Sequence, residues 1–277
     1  MSSASSSLEP AVEIVRPDFP RGPFRAALFD FDGTLSLIRR NWPGVMIPMM
    51  VDVLAATNTG ESRNELHAAV EDYVMRLNGR QTIYQMIRLA EEVQKRGGQP
   101  RDPLEYKHAY HELLLADMGD RVAKLHSGET PAADVTVPES HALLSALAER
   151  GIALYLASGT DVGYVKQEAA ALQLAHFFGP HIYGALDDYQ NFSKAMIVEQ
   201  ILGDSGVAPH ELLAFGDGFV EIQEVARRGG LAIGVASEEE KRVGVNAWKR
   251  GRLIDAGAHL IVGDYRCLPE LFGLLGL

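Results

Sequence analysis

Ala26-Ala27-Leu28-Phe29-Asp30-Phe31-Asp32-Gly33-Thr34-Leu35 is the stretch on which the reading of this chain turns. Four apolar residues run without alternation and stop abruptly at two acids and a glycine. A strand buried on both faces is continuously apolar, unlike the alternating strand of a half-exposed sheet. Similar short runs recur at Ala153–Ala157, His181–Tyr183, Leu212–Phe215, Leu231–Val235 and His259–Val262, most of them bounded by Gly, Ser or Asp. Each is a candidate strand of one parallel sheet.

Helical patterns fill the gaps. Leu143, Leu144 and Leu147 share a face ahead of Gly151, which suits a helix C-terminus. Val162 to Leu174 follows Asp161, and Ala195 to Leu202 follows Ser193, both good N-caps. Strand and helix in alternation imply right-handed crossovers and an α/β, doubly wound, Rossmann-like sheet. One interval breaks the rhythm. More than a hundred residues separate Thr34 from the strand near Ala153, far beyond a βα loop of ~2–6 residues. Leu66, Ala69, Val70, Tyr73, Val74 and Leu77 form one helical stripe there; Ile83, Met86, Ile87, Ala90 and Val93 form another. Arg101-Asp102-Pro103 interrupts before Leu104–Met118 resumes the pattern, and 128–138 leads back to the sheet. The expected organisation is a flexible lead-in over 1–24, a core from 25–36 and 138–277, and an inserted all-helical domain over 37–137.

The 277 residues carry 26 Lys+Arg against 37 Asp+Glu, a net charge of −11, which disfavours nucleic-acid partners. A single cysteine, Cys267, excludes an internal disulfide framework and fits a reducing cytoplasm; it lies away from every strand end and is given no catalytic role. No uncharged run approaches the ~18 apolar residues of a membrane span, and MSSASSSLEP lacks the pattern of a secretory signal. No membrane partner is expected.

Ligands of an open α/β sheet bind beyond the carboxyl ends of its strands. Asp30 and Asp32 end the first run, Ser158-Gly159-Thr160 the second, and Gly216-Asp217 with Glu221 the fourth, while Lys194 opens a helix after the third. These types suit phosphoryl transfer. One carboxylate can attack phosphorus, and a second can protonate the leaving oxygen and then activate water. Carboxylates from separate strands can hold Mg²⁺. A Ser-Gly-Thr turn at a helix start can hold phosphate oxygens, and a lysine supplies positive charge. Taken singly, Asp-Gly is an ordinary turn and Ser158 or Asp217 an ordinary cap. Lys194 says more, because a cation in a first helical turn opposes the helix dipole unless an anion is near. Its rival Lys166 falls inside a helix.

In order and spacing these residues resemble the four motifs of the haloacid dehalogenase superfamily. Asp30-Phe31-Asp32-Gly33-Thr34-Leu35 is similar to its first motif, Ser158 to its second, Lys194 to its third, and Gly216-Asp217-Gly218-Phe219-Val220-Glu221 to its fourth. The likeness spans about 25–265, with the insertion where that family places a helical cap. It implies that Asp30 is the nucleophile and Asp32 the acid/base. It implies Mg²⁺ on Asp30, the Asp32 backbone carbonyl and Asp217. Glu221 stands where Asp is commoner and is left outside that set, as a possible partner of a metal-bound water. Subclasses that cleave halides or phosphonates lack the second acid, so Asp32 favours phosphatase or phosphomutase chemistry.

The implied activity is a Mg²⁺-dependent phosphatase acting on a small phosphorylated metabolite, a sugar or organic-acid phosphate, through an aspartyl-phosphate. The alternative is a sugar phosphomutase of the β-phosphoglucomutase type. A non-catalytic phospho-acceptor module is disfavoured by the insertion and by DxDGT. Ser158, Gly159 and Arg80 are the expected substrate contacts. Arg80 lies in Leu77-Asn78-Gly79-Arg80-Gln81-Thr82, similar to the loop by which such caps reach the active site, with Arg39 and Arg40 behind it. His108, His111 and Glu112 read as a solvated helix face, and Glu238–Arg242 as a solvated helix start.

Overall fold

The computed structural model describes residues 12–204 and 206–277. Seven strands form one sheet: β1 (Val12–Ile14), β2 (Ala26–Phe29), β3 (Ala153–Asp161), β4 (Ile182–Ala185), β5 (Leu212–Gly216), β6 (Leu231–Val235) and β7 (Leu260–Val262). Their spatial order is β1-β7-β6-β5-β2-β3-β4. From β2 the chain runs outward through β3 and β4, then returns to the other side for β5, β6 and β7. Neighbouring crossovers therefore diverge between β2 and β5, and a crevice opens above their carboxyl ends. The register sets Phe29 beside Phe215 on one side and Leu156 on the other. Continuous apolar runs are explained by cover on both faces. Ala27, Phe29, Leu213 and Phe215 belong to one buried cluster, while Ala26, Leu28, Leu212 and Ala214 belong to another.

The lead-in reading of 1–24 needs correcting from Val12 onward; residues 1–11 lie outside the described part. Val12–Ile14 is an edge strand pairing antiparallel with β7, with Val12 opposite Val262. Glu13 is ion-paired to Arg250 of a core helix. Three residues are too few to show a period, so only tertiary pairing reveals this strand.

Between β2 and β3 stand α1 (Trp42–Ala55), α2 (Arg63–Leu77), α3 (Thr82–Lys95) and α4 (Pro103–Ser127), followed by α5 (Ser140–Glu149). Ser62 and Glu65 close a capping box at the start of α2. Asp102 caps Leu104 N at 2.8 Å with Pro103 in the first turn, so Arg101-Asp102-Pro103 is a helix start. Gly128, left-handed at φ 77°, ends α4. Helix α1 contains Pro43 and Pro48 yet buries Met46, Ile47, Met50, Val51 and Leu54. Packing outweighs the interior proline there. The remaining helices are α6 (Val162–Ala171), α7 (Ala175–Phe178), α8 (Lys194–Asp204), α9 (Phe219–Arg227), α10 (Ala247–Ala256) and α11 (Leu268–Leu275). Among the described residues no helix is long and apolar enough to cross a membrane.

Candidate active site

Asp30 leaves β2 with its backbone N–H still bonded to the Phe215 carbonyl at 2.9 Å, so the sheet itself aims the side chain. Its Oδ1 accepts Phe31 N at 2.8 Å, and its Oδ2 lies 2.8 Å from Lys194 Nζ. Lys194 opens α8, where Ser193 Oγ accepts Met196 N at 3.1 Å. The lysine is buried and also lies 2.7 Å from Glu221 Oε2. Glu221 is engaged a second time, since its Oε1 accepts Gly218 N at 3.2 Å, at the start of α9. A glutamate is long enough to reach both the helix end and the lysine, which accounts for Glu where Asp was the commoner expectation. Both its oxygens are thus held by protein donors. Burial pushes the Asp30 carboxyl well above its ordinary range, against the pull of Lys194, with Glu221 and Asp217 adding to the rise. One ammonium serves two buried carboxylates, and the surplus is negative.

Asp32 sits in different surroundings. Thr160 Oγ1 donates to its Oδ2 at 3.0 Å, with Ser158 Oγ at 3.5 Å. Its Oδ1 is buried without a hydrogen-bond partner. Arg39 Nε is 3.9 Å from it, but that guanidinium is committed to Glu168 of α6, with contacts of 2.6, 3.0 and 3.1 Å. Burial raises the Asp32 carboxyl to about 6; Arg39 opposes the rise and Glu168 supports it. A carboxyl there exchanges its proton near neutral pH, as an acid that later serves as a base requires. Glu168→Gln removes an anion that lifts Asp32 and frees Arg39 to face it. The kinetic limb governed by Asp32 is expected to move to lower pH in this variant, read from a pH–rate profile; an unmoved limb would exclude the coupling. The variant also leaves Arg39 short of its main partner, at a cost of about 3 kcal/mol in an unfolding titration.

Asp217, after β5, is the third acid. Its backbone N–H donates to Thr34 Oγ1 at 2.9 Å, which ties the first acidic turn to this one. Its Oδ2 lies 2.9 Å from Lys249 Nζ. Lys249, in the first turn of α10, is buried and donates also to Glu239 Oε1 at 2.6 Å and Ser237 Oγ at 3.0 Å. Burial by itself would lower its pKa, yet Asp217 and Glu239 hold it above the ordinary lysine value. Gly33 makes the approach possible: its φ is +73°, and a Cβ there would stand 2.2 Å from Asp217 Oδ2.

The insertion covers the strand ends with the loop after α2. Its backbone lies so close that a Cβ on Gly159 would meet the Arg80 carbonyl at 2.6 Å. Arg252 of α10 fastens the loop by donating to the Arg76 and Asn78 carbonyls, each at 2.8 Å, and to Met75. A pocket open to solvent lies beneath. Asp30, Asp32, Arg39, Trp42, Asn78, Arg80, Tyr110, Ser158, Gly159, Thr160, Lys194 and Asp217 are among its lining.

The structure therefore gathers Asp30, Asp32, Ser158, Gly159, Lys194, Asp217 and Arg80 around one cavity. Lys166 is exposed on α6, outside it. Arg80 borders the cavity but is exposed, its guanidinium resting 5.8 and 5.9 Å from the Tyr84 and Phe219 rings. Arg39 is the arginine buried beside the acids, and Arg40 is not part of the lining. His108 and Glu112 are exposed, as expected of a solvated helix face, but His111 is not, and the reading of Glu238–Arg242 fails too. His111 is buried rather than solvated, 3.6 Å from Asp161 Oδ2, and burial pushes its pKa down to about 4; Lys107 pairs with the same aspartate at 2.6 Å. Helix α4 needs those polar side chains to dock on the end of β3, so its apolar stripe does not mark its whole buried face. Residues Glu238–Arg242 form turns rather than a helix start, and Glu239 faces inward to Lys249. Lys249 was not singled out from the sequence; the dipole argument applied to Lys194 would have found it, since it too is a cation in a first helical turn.

Among the described residues no three His, Cys, Asp or Glu side chains gather as a metal cluster. A hard ion that keeps most of its waters needs less than that. Asp30 and Asp217 offer oxygen donors from adjacent strand ends, and Asp217 and Glu221 add to the cost of charge on Asp30, so its surroundings carry surplus negative charge. The donor set suits Mg²⁺.

The model for haloacid dehalogenase-like hydrolases matches residues 24–228. The chain belongs to that family. It is a hydrolase of the haloacid dehalogenase type, and the match covers the strands that carry all four acids. No curated protein matches the chain. A haloacid dehalogenase-like protein of unknown function from Agrobacterium tumefaciens shares 19% identity at a TM-score of 0.57, over 92% of this chain and 100% of its own. A predicted phosphoglycolate phosphatase from Haemophilus somnus shares 17% at 0.56, over 90% and 97%. A protein provisionally assigned as a β-phosphoglucomutase from Thermotoga maritima shares 18% at 0.53, over 90% and 99%. At such identities these three share the fold with this hydrolase.

Proposed function

We propose that this hydrolase is a Mg²⁺-dependent phosphatase of small phosphomonoesters, working through an aspartyl-phosphate on Asp30. The observation that carries the reading is the unlike treatment of two carboxyls two residues apart. Asp30 is held against Lys194 at 2.8 Å, which orients one oxygen and leaves the pair buried. Asp32 is poised at about 6 between Thr160 and Arg39. Held against an ammonium, Asp30 attacks as the carboxylate, and Asp32, whose proton exchanges near neutral pH, protonates the departing oxygen and then takes a proton from water.

The other residues position and neutralise. Lys194 stabilises charge on the transferring phosphoryl group, and the Ser158–Thr160 turn supplies hydroxyl and N–H donors to its oxygens. The Asn78–Arg80 loop, as part of a helical cap, shuts out bulk water while the acyl phosphate exists. Asp30, Asp217 and the Asp32 carbonyl would hold Mg²⁺. When bound, the ion offsets the repulsion between this acidic site and a phosphate dianion. A small substrate fits a cavity walled by Trp42, Met46 and Tyr110 from the insertion.

The test is a panel of phosphorylated sugars and organic acids assayed for phosphate release with Mg²⁺ and with a chelator. Release with turnover, abolished by the chelator, is expected. Isomerisation of a sugar phosphate primed by a bisphosphate, without net release, would replace this reading with a phosphomutase. A single stoichiometric phosphorylation would replace it with a phospho-acceptor.

A further inference from the structure

Lys249 has no part in the chemistry above, yet its ammonium lies 2.9 Å from one of the carboxylates proposed to hold the metal. It is buried, so it cannot swing into water, and its acceptors are few and fixed. They are Asp217 Oδ2, Glu239 Oε1 at 2.6 Å and Ser237 Oγ at 3.0 Å. Ser237 in turn donates to the Gly33 carbonyl, in the turn that also carries Asp32. Glu239, the lysine's second carboxylate, lines the same cavity as Asp217.

We propose that Lys249 is a resident cation on Asp217, drawn back by Glu239, and that the two set how tightly this site takes a divalent ion. The inference rests on the metal reading of Asp30 and Asp217. A single ammonium between two carboxylates has two resting partners. With no ion present, it satisfies Asp217 and keeps that carboxylate oriented. When an ion arrives, Asp217 exchanges the ammonium for it, and Lys249 keeps Glu239 and Ser237, so no buried charge is stranded. Without Lys249 the ion would meet an unopposed carboxylate; without Glu239 the lysine would have no carboxylate to retreat to. Lys249 and Glu239 are positioning residues, acting on the metal through Asp217.

The experiment measures Mn²⁺ binding to the full chain, without substrate, from the electron paramagnetic resonance signal of the free ion. The proteins are wild type, Lys249→Met, Glu239→Gln and the double variant, each checked for folding by its unfolding midpoint. Lys249→Met is expected to bind about tenfold tighter and Glu239→Gln about tenfold weaker, opposite shifts that general loosening of the site would not give. In the Lys249→Met background, Glu239→Gln should lose most of its effect, because the residue it releases is gone. An unchanged or weakened affinity in Lys249→Met overturns the inference. So does a Glu239→Gln effect that survives intact in the double variant, which would mean that Glu239 acts by its own charge alone. If wild type, folded, binds no Mn²⁺, the metal reading itself falls, and this one with it.

Discussion

Asp30→Asn is expected to reduce phosphate release by at least about 10³-fold while leaving the unfolding midpoint unchanged or raised. An amide occupies the same space but does not attack phosphorus at a useful rate, and no other residue is placed to substitute. Asp32 is engaged by Thr160, and Asp217 by Lys249. The stability half follows from charge. Burial already works against the ionised form of Asp30, and Lys194 retains Glu221 at 2.7 Å when Asp30 becomes neutral. The double readout separates loss of chemistry from loss of fold. Acid-quenched wild type mixed with substrate should also carry a phosphoryl group that the variant lacks. Activity within tenfold of wild type would remove Asp30 from the nucleophile's role.

Much of this was legible in the sequence because the relevant forces are local. Six strands announce themselves as unbroken apolar runs, since a sheet covered on both faces has no use for polar residues within its strands. The acids follow those runs at the only positions where a side chain can leave the sheet and meet a ligand. What stayed hidden depends on pairs distant in sequence. Arg39 and Glu168 lie 129 residues apart, and nothing around either one points to the other. Strand β1 exists because β7 offers it an edge. His111 sits on an amphipathic helix, and only the docking of α4 decides that this face meets Asp161 instead of water. Lys249 falls between the two cases. Asn246 is a good N-cap residue that the structure shows capping Lys249 N, but nothing in the sequence points to the strands and turns that bring Asp217 and Glu239 to the lysine.

Lys194→Met should be the most destabilising of these substitutions, and its loss should depend on pH. Methionine fills a similar volume, so packing is largely kept, but Asp30 and Glu221 then share a buried site with no cation between them. Breaking a buried pair in this way costs about 3–5 kcal/mol, which for a chain of this size is a fall of roughly 6–20 °C in the unfolding midpoint. The sign with pH follows from Asp30. Its folded pKa is already raised by burial, and Lys194 is the main influence pulling it back, so removing the lysine raises it further. A folded state that binds the proton more tightly than the unfolded chain gains stability as pH falls. The deficit of Lys194→Met against wild type should therefore be largest at high pH and shrink as pH is lowered toward the ordinary carboxylate range. Adding Glu221→Gln tests the cause. Neutralising the second carboxylate should restore part of the lost stability, because it removes the repulsion between the two carboxylates and leaves Asp30 alone in the site, where it can take up a proton. It should restore no activity, because the charge that Lys194 presents to the phosphoryl group is still missing. Stability and turnover recovering together would mean that Lys194 serves only to hold the fold, and a deficit flat with pH would mean that Asp30 does not feel it.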